Sequence, residues 1–203
     1  MVVSTGYELH GRTSQKQRTR DALLTAARQL IADGETPTVE ATADAAAISR
    51  TTAYRYFPNQ RALLAAAYPM TELTSLLPED APSDAQERIA LAVDRYLKDL
   101  FASEAQQRTM LRLSLQDDAS RHELPLRKGR AIAWFTDALE PARPQLGDDG
   151  IRRLVLSIRS AIGPEALVWL VDVAGLSRRQ AAAQMRWTAE MLCAAALSRP
   201  SPV

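Results

Sequence analysis

Along most of the chain the hydrophobic positions fall three and four residues apart, the spacing of one face of a helix. Leu23, Leu24, Ala27, Leu30 and Ile31 form the first such stripe; Ser14 before it reads as an N-cap and Gly34 after it as a stop. A loop over residues 35–37 leads to Thr38, placed to cap a second helix running to about Ala46. Ser49 is placed to cap a third, from about Arg50 to Phe57, so only Ala47, Ile48 and Ser49 separate the two. Pro58 and Asn59 end that helix and open a fourth, whose buried face is Leu63 and Leu64 and which stops before Pro69.

Residues 77–84, with two prolines and three acids, read as a linker. Beyond them the pattern predicts helices over about 84–102, 104–117, 124–140, 148–174 and 177–197, punctuated by Pro125, the Pro141 to Pro144 cluster, Gly147, Gly150 and Gly175. Pro164, beside Gly163, is expected to kink the long fourth member because it removes a backbone donor. Aromatics are only 5% of the 203 residues and alanine recurs in runs such as 65–67 and 194–196, which favours helix over sheet. The expectation is an all-α protein of about nine helices. Residues 1–68 would form an N-terminal arm and a three-helix head, and residues 69–203 a helical body.

A formal net charge of +1 argues for no partner by itself. Through Tyr68 there are eight cationic residues against six acidic ones, a weak asymmetry, but Gly11 to Arg20 holds four cations and no acid. A short basic arm suits phosphate binding, and a solvated charge run looks the same. Cys193 is the only cysteine, which rules out an intrachain disulfide and a cysteine-based zinc site and fits a reducing compartment. Residues 1–11 lack the pattern of an export leader, and no uncharged apolar run is long enough to suggest a membrane span, so the expected location is the cytoplasm, with no membrane partner. Catalysis finds little support. His10 and His122 stand in no metal-binding spacing, no glycine-rich phosphate loop occurs, and the pairs Glu79-Asp80, Asp117-Asp118 and Asp148-Asp149 sit at predicted helix ends. No cofactor, no metal and no enzymatic activity are expected.

Two short helices joined by a three-residue turn and braced by a longer one are a helix-turn-helix, whose second short helix enters the DNA major groove. In residues 50–57, Ala53 and Phe57 lie four apart and can face the bracing helix, which leaves Arg50, Thr51, Tyr54 and Arg55 outward. These are groups that read base edges: a guanidinium for guanine, a hydroxyl and methyl for other edges, and a phenol for base or phosphate. Thr38, Asn59, Gln60 and Arg61 flank the groove at helix starts, and Arg12, Lys16 and Arg18 on the arm can reach the adjacent backbone or minor groove.

The stretch from Thr38 to Ala67, and above all Thr52-Ala53-Tyr54-Arg55-Tyr56-Phe57-Pro58-Asn59-Gln60-Arg61-Ala62-Leu63-Leu64, resembles the DNA-binding domain of the TetR family. The clear likeness runs from about Ser14 to Tyr68, and the remainder is similar in helix pattern only. The resemblance implies base contacts from Arg50, Thr51, Tyr54 and Arg55, and phosphate contacts from Thr38, Thr52, Tyr56 and Arg61. Two positions depart from the family pattern. Ala47 stands where glycine is common, so a positive φ there implies strain, and Thr42 stands where a larger aliphatic is usual.

A single head touches few base pairs, so such heads work in pairs on half-sites about 34 to 36 Å apart. The resemblance implies a homodimer through the last two helices. Ile158, Ile162, Leu167 and Leu170 on one, with Ala181, Met185, Thr188, Leu192 and Ala196 on the other, are the expected interface, although the same stripes can close the protomer's own core. A pocket for a small-molecule effector is expected among Leu97, Phe101, Met110, Leu113, Trp134, Ala138 and Trp169, residues that ordinary core packing also explains. The function expected is a transcriptional regulator, by family default a repressor, bound to a palindromic double-stranded operator and released by an effector. Two alternatives stay open: a helical adaptor for a protein partner, and a DNA-binding protein with no effector.

Overall fold

The computed structural model describes residues 5–68, 73–115 and 129–198, and side-chain surroundings from Thr13 onward; the described residues contain no strand. Asp117, Asp118, His122 and Pro125, and the side chains of His10 and Arg12, lie outside what is described. Packing divides the chain into two units, one of residues 1–71 with 112–126 and one of residues 72–111 with 127–203.

The first unit is the head. Its helices are α1 (Thr5–Ala32), α2 (Val39–Ala45), α3 (Arg50–Tyr56) and α4 (Gln60–Ala67). Leu23, Leu24 and Ala27 of α1, Val39 and Ala43 of α2, Ala53 of α3, then Phe57, Leu63 and Ala67 make one buried cluster. Three polar side chains start the short helices: Thr38 accepts from Ala41 N at 3.1 Å, Ser49 from Thr52 N at 3.3 Å and Asn59 from Ala62 N at 2.8 Å. The last turn of α4 is closed from outside, where Arg28 Nε donates to Ala67 O at 2.9 Å. Arg112 likewise ties down the turn before α2, donating to Gly34 O at 3.1 Å and Thr36 Oγ1 at 2.7 Å.

The start of α1 corrects the expected arm. The helix begins at Thr5, so Ser14 is interior and its carbonyl and hydroxyl both receive Arg18, while Gly11 to Arg20 is helical rather than extended. The segment has no apolar stripe, and periodicity alone could not mark it as helix.

The second unit is the body: α5 (Ala85–Ala102), most of α6 (Glu104–Ser114), α7 (Arg130–Ala138), a short turn at Glu140–Ala142, α8 (Arg143–Ile162), α9 (Pro164–Val168) and α10 (Arg178–Ser198). Its core is built from Ile89, Val93 and Leu97 of α5, Phe135 of α7, Ile151, Val155 and Ile158 of α8, and Met185, Ala189 and Cys193 of α10. Asp84 caps α5 by accepting from Glu87 N at 2.9 Å. Ser177 and Gln180 form a capping box at α10, with Ser177 N donating to Gln180 Oε1 at 2.9 Å and Gln180 N to Ser177 Oγ at 3.3 Å.

The single helix expected over 148–174 is in fact interrupted. Gly147 (φ 65°) breaks the path before Asp148, Gly163 leaves the helix in extended geometry, and Pro164 opens α9 as its first residue, where its missing N–H costs nothing. Residues 169–173 then form a wide turn in which Ala174 N reaches Trp169 O at 2.9 Å, ended by Gly175 at φ 71°. By length and composition the run Glu140–Val173 is apolar enough to cross a bilayer. Its inward side chains instead fill the body's core, and two glycine breaks divide it.

Two sets of expected residues are relocated by this packing. Ile158, Ile162, Leu167, Ala181 and Met185, expected at a dimer interface, are fully buried within the protomer, with Leu170, Thr188, Leu192 and Ala196 half-buried beside them. The centre of the stripe on each helix faces the protomer's own core, and only its half-buried edge residues keep exposed surface. Of the expected pocket walls, Leu97 and Ala138 are core, Phe101 and Trp134 pack on its edge, and Met110 is half-buried. Trp169 is 59% exposed, and Leu113 groups with the first unit.

Candidate nucleic-acid interface

The surface that matters is the outer side of α3 with the starts of α2 and α4. Ala53 is fully buried and Phe57 nearly so, and together they anchor α3 against α1, where the Arg20 guanidinium also lies 5.8 Å from the centre of the Phe57 ring. With those two inward, helical geometry turns Arg50, Thr51, Tyr54 and Arg55 outward, and all four are exposed. Thr52 and Tyr56 are half-buried at the edge of this face. Thr52 Oγ1 receives the Ser49 hydroxyl at 2.9 Å, and the Arg55 guanidinium sits 5.9 Å from the centre of the Tyr56 ring.

The flanking groups occupy helix starts. Thr38 is exposed at the start of α2, and Arg61 is exposed in the first turn of α4. Gln60 is turned away from the face, its amide donating to Pro37 O at 3.2 Å and so tying α4 to the turn before α2. Lys16 and Arg18 are exposed on α1.

Two carboxylates on α2 join this face, and sequence reasoning missed them. Asp44 receives Arg50 Nη2 at 2.9 Å, and Glu40 receives the hydroxyl of Tyr54. The phenol's hydrogen bond holds the Glu40 carboxyl below its usual range, and the same bond pushes the Tyr54 phenol up. Asp44 raises the Arg50 guanidinium further above its ordinary value. The four-residue spacing of Glu40 and Asp44 places them one turn apart, but nothing local to the sequence says that α3 crosses that side of α2.

A short helix held by two apolar anchors, with cationic and hydroxyl groups facing out and capped helix starts on each side, is shaped for a nucleic-acid groove. Residues 23–67 match the family described as bacterial regulatory proteins, tetR family. The chain carries a TetR-family head. No curated protein matches the chain. A TetR-family head makes this a DNA-binding transcriptional regulator, and it accounts for features that otherwise look unrelated. The aromatic pair Tyr56-Phe57 divides its work between the edge of the reading face and the head's core, and Asn59 restarts the chain as α4 straight after Pro58.

Proposed function

We propose that the protein is a transcriptional repressor that binds a palindromic operator as a homodimer and is released by a small-molecule effector. Residues 1–68 would serve as the DNA-binding head and residues 69–203 as the effector-binding and dimerising body. The observation that carries the DNA half is the outward side of α3. In this reading Arg50, Thr51, Tyr54 and Arg55 face base edges, and Thr38, Thr52, Tyr56 and Arg61, with Arg12, Lys16 and Arg18 on α1, lie toward phosphates.

Dimerisation is supported by apolar surface on the outer sides of the last helices. Trp187 and Met191 are one turn apart on α10 and 56% and 46% exposed, and Leu156 on α8 is 45% exposed. Exposed tryptophan and methionine are typical of interface centres. The effector part is supported by the way α6 is held. No residue of α6 joins the body's apolar cluster; Thr109 and Leu113 are buried, and ion pairs add ties: Arg108 binds Asp172 through both Nη atoms at 2.5 and 2.8 Å, and Glu104 receives Arg178 at 2.6 Å. An element tied to its neighbours largely by ion pairs can shift when a ligand enters.

The test is selection of bound sequences from a random duplex pool, followed by titration of the winner at several salt concentrations. A two-fold symmetric site, with affinity falling steeply as salt rises, is expected. Recovery of no sequence, or binding indifferent to salt, would remove the DNA reading.

A further inference from the structure

The readout described above leaves Glu40 and Asp44 without a task, yet each touches one of its reading side chains. Both sit on α2, and neither contributes to the head's core. Their effect follows from counting hydrogens. An ionised carboxylate only accepts, so in the Glu40–Tyr54 pair the phenol must donate, and a phenol has a single proton. What Tyr54 then presents outward is oxygen lone pairs, beside the further lone pairs of Glu40. The low pKa of Glu40 and the raised one of Tyr54 keep this assignment in force throughout the neutral range.

Lone pairs facing outward repel most of what DNA offers. Phosphate oxygens, guanine O6 and N7, adenine N7 and thymine O4 are all acceptors, and in the major groove only adenine N6 and cytosine N4 donate. Arg50 is the opposite case. Its Nη2 and, more distantly at 3.5 Å, its Nε are turned to Asp44, which fixes the plane of the guanidinium and leaves Nη1 and one Nη2 hydrogen free.

Building on the DNA-reading head proposed above, we infer that Glu40 and Asp44 set the hydrogen-bond polarity of the reading face. Glu40 makes Tyr54 an acceptor that recognises the exocyclic amino group of adenine or cytosine rather than a phosphate, and Asp44 orients Arg50 as a fork for guanine. Both carboxylates are positioning residues and specificity determinants. Each operator half-site then carries a guanine together with an adenine or cytosine within the span of one helical turn of α3.

The experiment uses the full-length protein and the duplex it selects from a random pool, with affinity read by fluorescence anisotropy. Exocyclic amino groups are deleted one base at a time, adenine to purine and cytosine to pyrimidin-2-one. One position is expected at which the deletion weakens the wild type roughly tenfold while Tyr54→Phe binds the intact and deleted duplexes alike. Glu40→Ala frees the phenolic proton, and it is expected to move the preference at that position toward thymine, whose O4 accepts. Asp44→Asn is expected to narrow the preference for guanine at the Arg50 position several-fold. If no amino deletion is coupled to Tyr54, or if Glu40→Ala keeps the wild-type base preference, the inference is overturned while the DNA reading stands. If the wild type selects no duplex, both fall together. Tyr54 is exposed, so Tyr54→Phe with the base deletions decides the matter even where an α2 variant loses helix content by circular dichroism.

Discussion

At the scale of single residues, two positions in the head sit against local physical preference. Helix α2 ends with Ile48 N donating to Ala43 O at 2.9 Å and Ala47 N to Asp44 O at 3.2 Å, a closure that needs a left-handed residue at position 47. Ala47 supplies it at φ 53°, the only non-glycine residue with positive φ among those described. Ala47→Gly is therefore expected to stabilise the protein by about 1 kcal/mol, read as a higher urea midpoint at unchanged slope. A midpoint that stays or falls would mean the turn is not strained. Thr42 is 1% exposed and its hydroxyl has no hydrogen-bond partner. Thr42→Val keeps the shape and removes a buried polar atom, so a gain of about 1 kcal/mol is expected, and a loss in the same titration would show that the hydroxyl is satisfied in solution. Both positions stood out in the sequence as departures from a family pattern. Glu40 and Asp44 did not, because their significance lies in a crossing of α2 and α3 that no local pattern encodes.

At the scale of elements, ion pairs add to what packing fastens. Burial raises the Glu104 carboxyl, but hydrogen bonds from Arg178 and Arg108 outweigh it and leave the pKa below the ordinary 4.5. A carboxyl whose folded pKa is lowered stabilises the fold above its unfolded value and loses that contribution as pH falls through the folded value. Stability should accordingly drop as pH falls below about 4.5, and Glu104→Gln should flatten that acid limb and cost about 1 to 3 kcal/mol at neutral pH. Thermal melts of both proteins from pH 7 to pH 3 test this; parallel curves would assign the acid loss to other groups. The break between α8 and α9 is bridged in a similar way. Arg159 Nη1 reaches Glu165 Oε2 at 3.2 Å across Gly163, where a Cβ would lie 1.7 Å from that same nitrogen. Gly163→Ala must displace the arginine, so it should loosen the break, with faster amide exchange over residues 163–168 than in wild type.

At the scale of the whole molecule, the proposed homodimer would present two heads to one palindrome. With the centre of the predicted stripe buried inside the protomer, the exposed large apolar side chains on α10 are Trp187 and Met191. Trp187→Glu or Met191→Glu is expected to convert a sedimenting dimer into a monomer with unchanged helix content, and operator affinity should fall steeply for want of the second half-site. A dimer that survives both substitutions would place the interface elsewhere.

The all-α class, the three caps of the head, and the identity of the side chains facing out from α3 follow from the sequence alone, because each depends on spacing within one helix or on one residue bonding to backbone three positions away. What covers a hydrophobic stripe is a different question. Ile158 and Met185 have the same pattern whether a neighbour in the chain or a second copy buries them, and only packing assigns them to the protomer's own core. The same holds for Glu40. That its carboxylate takes the one proton Tyr54 has to give depends on how two helices cross so as to bring together residues fourteen apart in sequence, a relation that exists only in the folded chain.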